Sequence, residues 1–172
     1  DLLQNTLTLK TLKMLHLDVR SYHSDHVPWP PACAVEHLTL RNLNLHQLVC
    51  IISQRNRFQS LTLKNISMKD FDLRSAKAVQ LDGVRSFQLE ESELFMEKVL
   101  WLVSATPKLR HWKLEGFTPR IAEIFREHRL ETFIQTQVSE LKTLRFFIRF
   151  SPVEFKINQS LVESLLEQFH RP

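Results

Sequence analysis

His37-Leu38-Thr39-Leu40-Arg41-Asn42 and Ser60-Leu61-Thr62-Leu63-Lys64-Asn65 are near-copies set 23 residues apart. The match extends on both sides. Val35-x-x-Leu38-x-Leu40-x-x-Leu43-x-Leu45 has its counterpart in Phe58-x-x-Leu61-x-Leu63-x-x-Ile66-x-Met68, and Leu12-x-x-Leu15-x-Leu17 lies one further step of 23 upstream. Looser copies follow at Val84-x-x-Phe87-x-Leu89, Leu109-x-x-Trp112-x-Leu114 and Leu130-x-x-Phe133, and Leu141-x-x-Leu144-x-Phe146 comes 11 residues after the last of these. An apolar pattern returning at a fixed step predicts a repeat architecture, in which each unit buries its face against its neighbours.

The L-x-L heart of each copy has the two-residue period of a strand, so the leucines point one way and the middle residue the other. The rest of each unit must lead the chain back over the same core. Leu45, Leu48, Val49 and Ile52 have helical spacing between Leu45 and Ser53. Val99, Leu100 and Val103 do the same between Met96 and Ser104, with Pro107 just beyond the end. A third helix is predicted from Pro119 to Arg129, with Thr118 as its cap and Pro119 at the first helical position. Strands alternating with helices in this way predict an α/β fold with a mainly parallel sheet.

Repeats occupy 1–140 in this reading. The segment 22–34, which carries Pro28, Trp29, Pro30 and Pro31, is an irregular surface loop that cannot be helical through its centre. Val79-x-Leu81 and Leu7-x-Leu9 read either as extra strands or as variable connections. Residues 141–172 are expected to close the open core as a strand–helix cap of the same domain. There Phe146-Phe147-Ile148-Arg149-Phe150 is β-prone, Pro152 stops it, and Ser160-x-x-Glu163 opens a helix with Leu161, Leu165 and Phe169 on one face. Such a terminal helix also suits docking on a partner.

Composition narrows the function classes. The 172 residues are 43% hydrophobic, enough for one domain with its own core, and 23 basic against 19 acidic residues leave only +4. With two glycines, Gly83 and Gly116, no Gly-rich phosphate loop can be written. No G-x-S-x-G or H-E-x-x-H is present, so no enzyme is expected. No apolar run reaches the length of about 18 residues that a membrane span needs. Asp1 in place of an initiator methionine reads as a fragment or processed chain, with any targeting signal outside it. Cys33 and Cys50 are too few for a disulfide framework or a thiolate zinc site, and are expected as buried or half-buried thiols in a reducing, intracellular setting, cytoplasmic or nuclear. His16, His37 and His111 fall on different strands or at different depths, and His23-x-x-His26 has no companion pair, so neither metal nor cofactor is expected. Trp101 and Trp112 sit at core positions, and nucleic acid is therefore the less favoured partner.

The L-x-x-L-x-L cores at 12–17, 35–40, 58–63, 84–89 and 109–114 resemble those of leucine-rich-repeat proteins, whose repeats run to 20–29 residues. The usual Asn after the strand is displaced: Asn42 and Asn65 stand two residues after the L-x-L, and Asn44 and Ser67 lie closest to the usual place. That departure favours the irregular ribonuclease-inhibitor or F-box-associated kind. An ordinary α/β domain with Leu-rich strands is the competing reading. The resemblance implies a solenoid whose curved sheet carries helices or irregular segments on its convex side. Between Phe87 and Leu114 the chain is similar to the repeats that follow F-box motifs, which implies substrate recognition for an SCF-type ubiquitin ligase. The ligase adaptor would then be a partner only through an F-box outside these residues. The alternatives are a stand-alone adaptor or scaffold in a constitutive complex, and an RNA-binding module.

In the resembled family the middle residues of the strands line a concave binding face. Here the rows are Met14, His16 and Asp18; His37, Thr39 and Arg41; Ser60, Thr62 and Lys64; Ser86, Gln88 and Glu90; His111, Lys113 and Glu115. A protein or peptide partner is expected on His16, His37, Thr39, Arg41, Thr62, Lys64, Gln88, Glu90, His111 and Lys113, with Trp29 or Met14 as apolar anchors. The first rows lean basic, which suits an acidic peptide.

Overall fold

The computed structural model describes residues 6–7, 10–21, 29, 33–53, 57–68, 71–73, 79–93, 95–117 and 129–149. Among them six strands form one sheet in chain order: β1 (Met14–Asp18), β2 (His37–Arg41), β3 (Ser60–Lys64), β4 (Ser86–Glu93), β5 (His111–Phe117) and β6 (Thr143–Arg149). Every neighbouring pair is parallel. Three α-helices lie between strands, again among the described residues: α1 (Leu45–Ser53), α2 (Met96–Ser104) and α3 (Arg129–Gln137), and a 3-10 turn (Val19–Ser21) follows β1. The fold is α/β, and no described helix is long and apolar enough to cross a membrane.

The predicted inward pairs fall into two lines across the sheet. Leu15, Leu38, Leu61, Phe87, Trp112 and Leu144 are register partners in turn, and Leu17, Leu40, Leu63, Leu89, Leu114 and Phe146 form the second line. On β2 to β5 these residues are at most 1% exposed, whereas Leu17, Leu144 and Phe146, on the outermost strands, are only partly buried. The same core takes in Leu48, Ile51 and Ile52 of α1 and Val99, Leu102 and Val103 of α2. Both helices begin and end where the spacing predicts, but their buried faces lean toward Ile51 and Leu102, leaving Val49 and Leu100 half-buried.

Backbone bonding explains why the register holds. At the entry side, one carbonyl serves two amides of the next strand: Glu36 N–H and His37 N–H both donate to the Lys13 carbonyl at 2.9 Å. Gln59 and Ser60 use Glu36 in the same way, Arg85 and Ser86 use Gln59, Arg110 and His111 use Arg85, and Lys142 and Thr143 use Arg110. At the exit side the chain turns through left-handed backbone at equivalent positions, with φ of 59° at Asn42, 52° at Asn65 and 54° at Glu91. Asparagine tolerates that region because its short amide bonds locally. Asn65 Nδ2 donates to Asn42 Oδ1 at 2.6 Å, and Asn42 Nδ2 donates to Asp18 Oδ2 at 2.8 Å. The displaced asparagines of the sequence therefore form a side-chain ladder over three turns.

Two residues further on, Asn44 caps α1. Its Oδ1 accepts from Gln47 N–H at 2.8 Å while Gln47 Oε1 accepts from Asn44 N–H at 3.0 Å, a reciprocal capping box. Asn44 also bridges Ser67 in parallel.

Glu91 has neither glycine's freedom nor an asparagine's amide, so its positive φ is strained. Its exposed ion pair with Arg41 (3.0 Å) offsets little of that. Glu91→Asn is therefore expected to raise stability by about 0.5–1 kcal/mol in urea denaturation. An unchanged or lowered midpoint would show the Arg41 contact to outweigh the strain.

One expectation changes, and the open choice between strand and connection is settled for Val79 and Leu81. Leu130 and Phe133 belong to helix α3, not to a strand, because L-x-x-F followed by Ile134 is also one face of a helix. With that unit removed, β6 follows β5 at a step of 32 residues rather than lying 11 from a neighbour. Val79 and Leu81 are buried but form no strand; Leu81 N–H instead donates to the Ala105 carbonyl at 2.7 Å. Leu7 is likewise buried outside any strand. The start of the 141–172 cap is the sixth strand of the sheet; its Ser160–Phe169 helix, the helix over 119–128 and most of the loop 22–34 lie outside the described residues.

Candidate interaction surface

Alternation along six parallel strands sets the remaining side chains into three outward rows. The first holds Met14, His37, Ser60, Ser86, His111 and Thr143; the middle one His16, Thr39, Thr62, Gln88, Lys113 and Arg145. The third begins Asp18, Arg41, Lys64 and Glu90 and ends with Glu115 and Phe147. Between Leu89 and Ser92 the β4–β5 register shifts, so Glu90 and Glu91 stand against Glu115 alone. The bulge is anchored by Ser92, 2% exposed, whose hydroxyl donates to the Glu90 carbonyl (2.8 Å) and accepts from Ile66 N–H (3.0 Å).

All ten predicted contact residues lie in these rows. His16, His37, Arg41 and His111 are exposed, while Thr39, Thr62, Lys64, Gln88, Glu90 and Lys113 are half-buried. Their charges are not free for a partner in the way the sequence suggests. Glu90 accepts from Lys64 and from Lys113, each at 2.7 Å, and Lys113 also reaches Glu115 at 2.9 Å. Arg41 is held by Glu91. The basic lean of β2 and β3 is thus largely neutralised by β4, and reversing Arg41, Lys64 and Lys113 together would unpair Glu90 as well as alter the surface.

Burial pushes the Glu90 carboxyl up, but its bonds to Lys113 and Lys64 outweigh that and leave it below the ordinary 4.5. Lys113 is raised above 10.5 by its bonds to Glu90 and then Glu115. A depressed carboxylate stabilises the fold above its unfolded value and loses that as pH falls through the folded one; a raised lysine loses its contribution as pH climbs past 10.5. Glu90→Gln is expected to cost about 1 kcal/mol near neutrality, after discounting for the partly exposed lysines, and to flatten the acid limb of stability below pH 4.5. Urea midpoints measured across pH check this; an unchanged acid limb would place the titrating carboxylate elsewhere.

Of the apolar anchors, Met14 stands on the outward face at 60% exposure. Trp29 does not: it packs edge-on against Phe58 at 5.4 Å and donates its Nε1–H to the Ile51 carbonyl of α1 at 2.9 Å. The exposed apolar residue that sequence reading missed is Phe147, 55% exposed, with Lys113 Nζ 5.8 Å from its ring centre. The signal was present, since Phe147 is out of phase with Leu144 and Phe146.

The histidines do not converge. His16 faces Thr39 and His37 faces Met14 in register, and β3 and β4 separate His37 from His111. No group of three His, Cys, Asp or Glu side chains among the described residues could hold a metal ion. Cys33 is buried and Cys50 half-buried, and neither forms a disulfide among the described residues. Trp101 tilts against Phe71 at 5.4 Å and Trp112 meets Phe146 edge-on at 6.0 Å, so both pack in or beside the core. Comparison with family models, curated proteins and solved structures gives no match to this chain.

Proposed function

We propose that this chain is a non-enzymatic interaction domain of the leucine-rich-repeat type that holds a protein or peptide on its outward strand rows. The observation that carries the reading is the register of the first and middle rows, unbroken from Met14 to Thr143 and from His16 to Arg145 and shifted only beyond them at the β4 bulge, which aligns mostly polar side chains of six strands into a continuous surface. Such a surface suits an extended segment recognised by hydrogen bonds along its length, with Met14 and Phe147 as apolar contacts at opposite sides of the sheet. Substrate recognition within an SCF-type ubiquitin ligase is the specific form suggested by the resemblance between Phe87 and Leu114. A constitutive adaptor that binds through its helices is the second reading, favoured by the half-buried Val49, Leu100 and Trp101 on that side.

The test is a photo-crosslinking amino acid placed singly at Thr62, at Gln88, and at exposed Ser53 of α1, followed by mass spectrometry of the adducts. Adducts to one partner from Thr62 and Gln88, with none from Ser53, are expected. The opposite pattern would move the site to the helical side and leave the adaptor reading.

A further inference from the structure

Charge is unevenly placed on the outward rows. Their carboxylates, Asp18, Glu90 and Glu115, all stand in the third row, while the first and middle rows carry none among the described residues. Over β4 to β6 those two rows line a groove of about 540 Å³ with Ser86, Gln88, His111, Lys113, Thr143 and Arg145. All six side chains are able to donate hydrogen bonds. Lys113 is engaged by Glu90 and Glu115, but Arg145 is exposed and has no ion-pair partner among the described residues.

We infer that this groove is a subsite for an anionic side chain, carboxylate or phosphate, of a bound peptide; the inference rests on the interaction-domain reading and names the chemistry of its partner. Arg145 supplies the planar fork that matches either anion, with His111 and the Ser86 and Thr143 hydroxyls as further donors. The groove has the size of small-ligand pockets, roughly 300–1,000 Å³, and so admits backbone on either side of the anion. Phe147 lies two residues beyond Arg145 on β6, a separation of about 6.6 Å along a strand. An extended peptide aligned with β6 therefore offers an anionic residue to Arg145 and an apolar residue, two positions away, to Phe147. Single-stranded nucleic acid fits less well. It needs successive stacking platforms, and Phe147 is the one exposed phenylalanine, tryptophan or tyrosine among the residues whose side chains are described.

Fluorescence anisotropy on the full chain tests this with glycine–serine peptides carrying phosphoserine, glutamate or serine two residues before a leucine. The phosphoserine and glutamate peptides are expected to bind about tenfold more tightly than the serine peptide, and Arg145→Glu to remove that preference. Arg145→Gln repeats the measurement should the glutamate disturb β6, and Lys108→Glu, on the exposed turn after α2, should change nothing. Equal binding of all three peptides, an undiminished preference in both Arg145 variants, or no binding at millimolar peptide would overturn the subsite. So would a uridylate oligomer that binds more tightly than the phosphopeptide. Partner adducts at Thr62 together with charge-independent peptide binding would remove the subsite alone and leave the interaction domain standing.

Discussion

Leu61→Ala is expected to lose about 2–5 kcal/mol of stability, the range for emptying a fully buried leucine site. In a chain of this length that corresponds to a fall in thermal midpoint of roughly 5–15 °C. Leu61 is 0% exposed and stands between Leu38 and Phe87 in the inward line, so strands on both sides restrict how far the site can collapse. The neighbouring Thr62→Ala provides the control. Thr62 is half-buried on the opposite face, and its change should stay within about 0.5 kcal/mol. Calorimetry on the two variants measures the inward–outward alternation directly. Equal effects, or a larger one at Thr62, would contradict the assignment of faces.

Trp112 is the second site of large effect, and its expected result has two parts. The indole is 1% exposed, lies between Phe87 and Leu144 in register, and meets Phe146 edge-on. Trp112→Ala should therefore cost about 3–5 kcal/mol. Its Nε1–H, however, is buried with no hydrogen-bond partner among the described residues, so the native side chain carries a desolvation penalty there. Trp112→Phe removes that orphan donor along with some volume, and is expected to cost only about 1 kcal/mol. Urea denaturation followed by far-UV circular dichroism, which does not depend on the altered tryptophan, distinguishes the two. A Phe variant as unstable as the Ala variant would mean that the indole N–H does find a partner.

The two sites also show how much of the fold was legible in the chain. An apolar residue every second position in a short run has only one simple geometric reading, and a repeat of 23 residues carries that reading from Leu15 to Leu38 to Leu61. Helices α1 and α2 were equally legible because their apolar spacing and the stop at Pro107 are local signals. The failure was a local ambiguity: Leu130 and Phe133, three apart, satisfy a strand-repeat template and a helix face alike. Val79 and Leu81, which the sequence leaves open between strand and connection, prove to be connection, since they alternate as a strand would but pair with no described strand. Asn44 with Gln47 was a capping box written openly in the sequence, readable from spacing alone and overlooked.

The candidate surface was less legible. Its rows follow from alternation, so His16, Thr39, Thr62 and Gln88 could be placed outward from sequence alone. Their electrostatics could not, because an ion pair such as Lys64–Glu90 joins residues that are neighbours only across strands. Lys113 reaches Glu90 from the next strand, and the bulge after Leu89 determines which acidic residues stand near it. The inference about Arg145 and Phe147 depends on the same lateral placement of β6.

Residue order by itself determined the period, the inward leucine lines and the first two helices, since each depends on side-chain spacing along a single segment. Tertiary structure alone decided that Glu90 quenches two lysines, that Trp29 serves the core and that Phe147 stands on the open face. Those outcomes depend on lateral register and on competition for buried space, neither of which a one-dimensional pattern encodes.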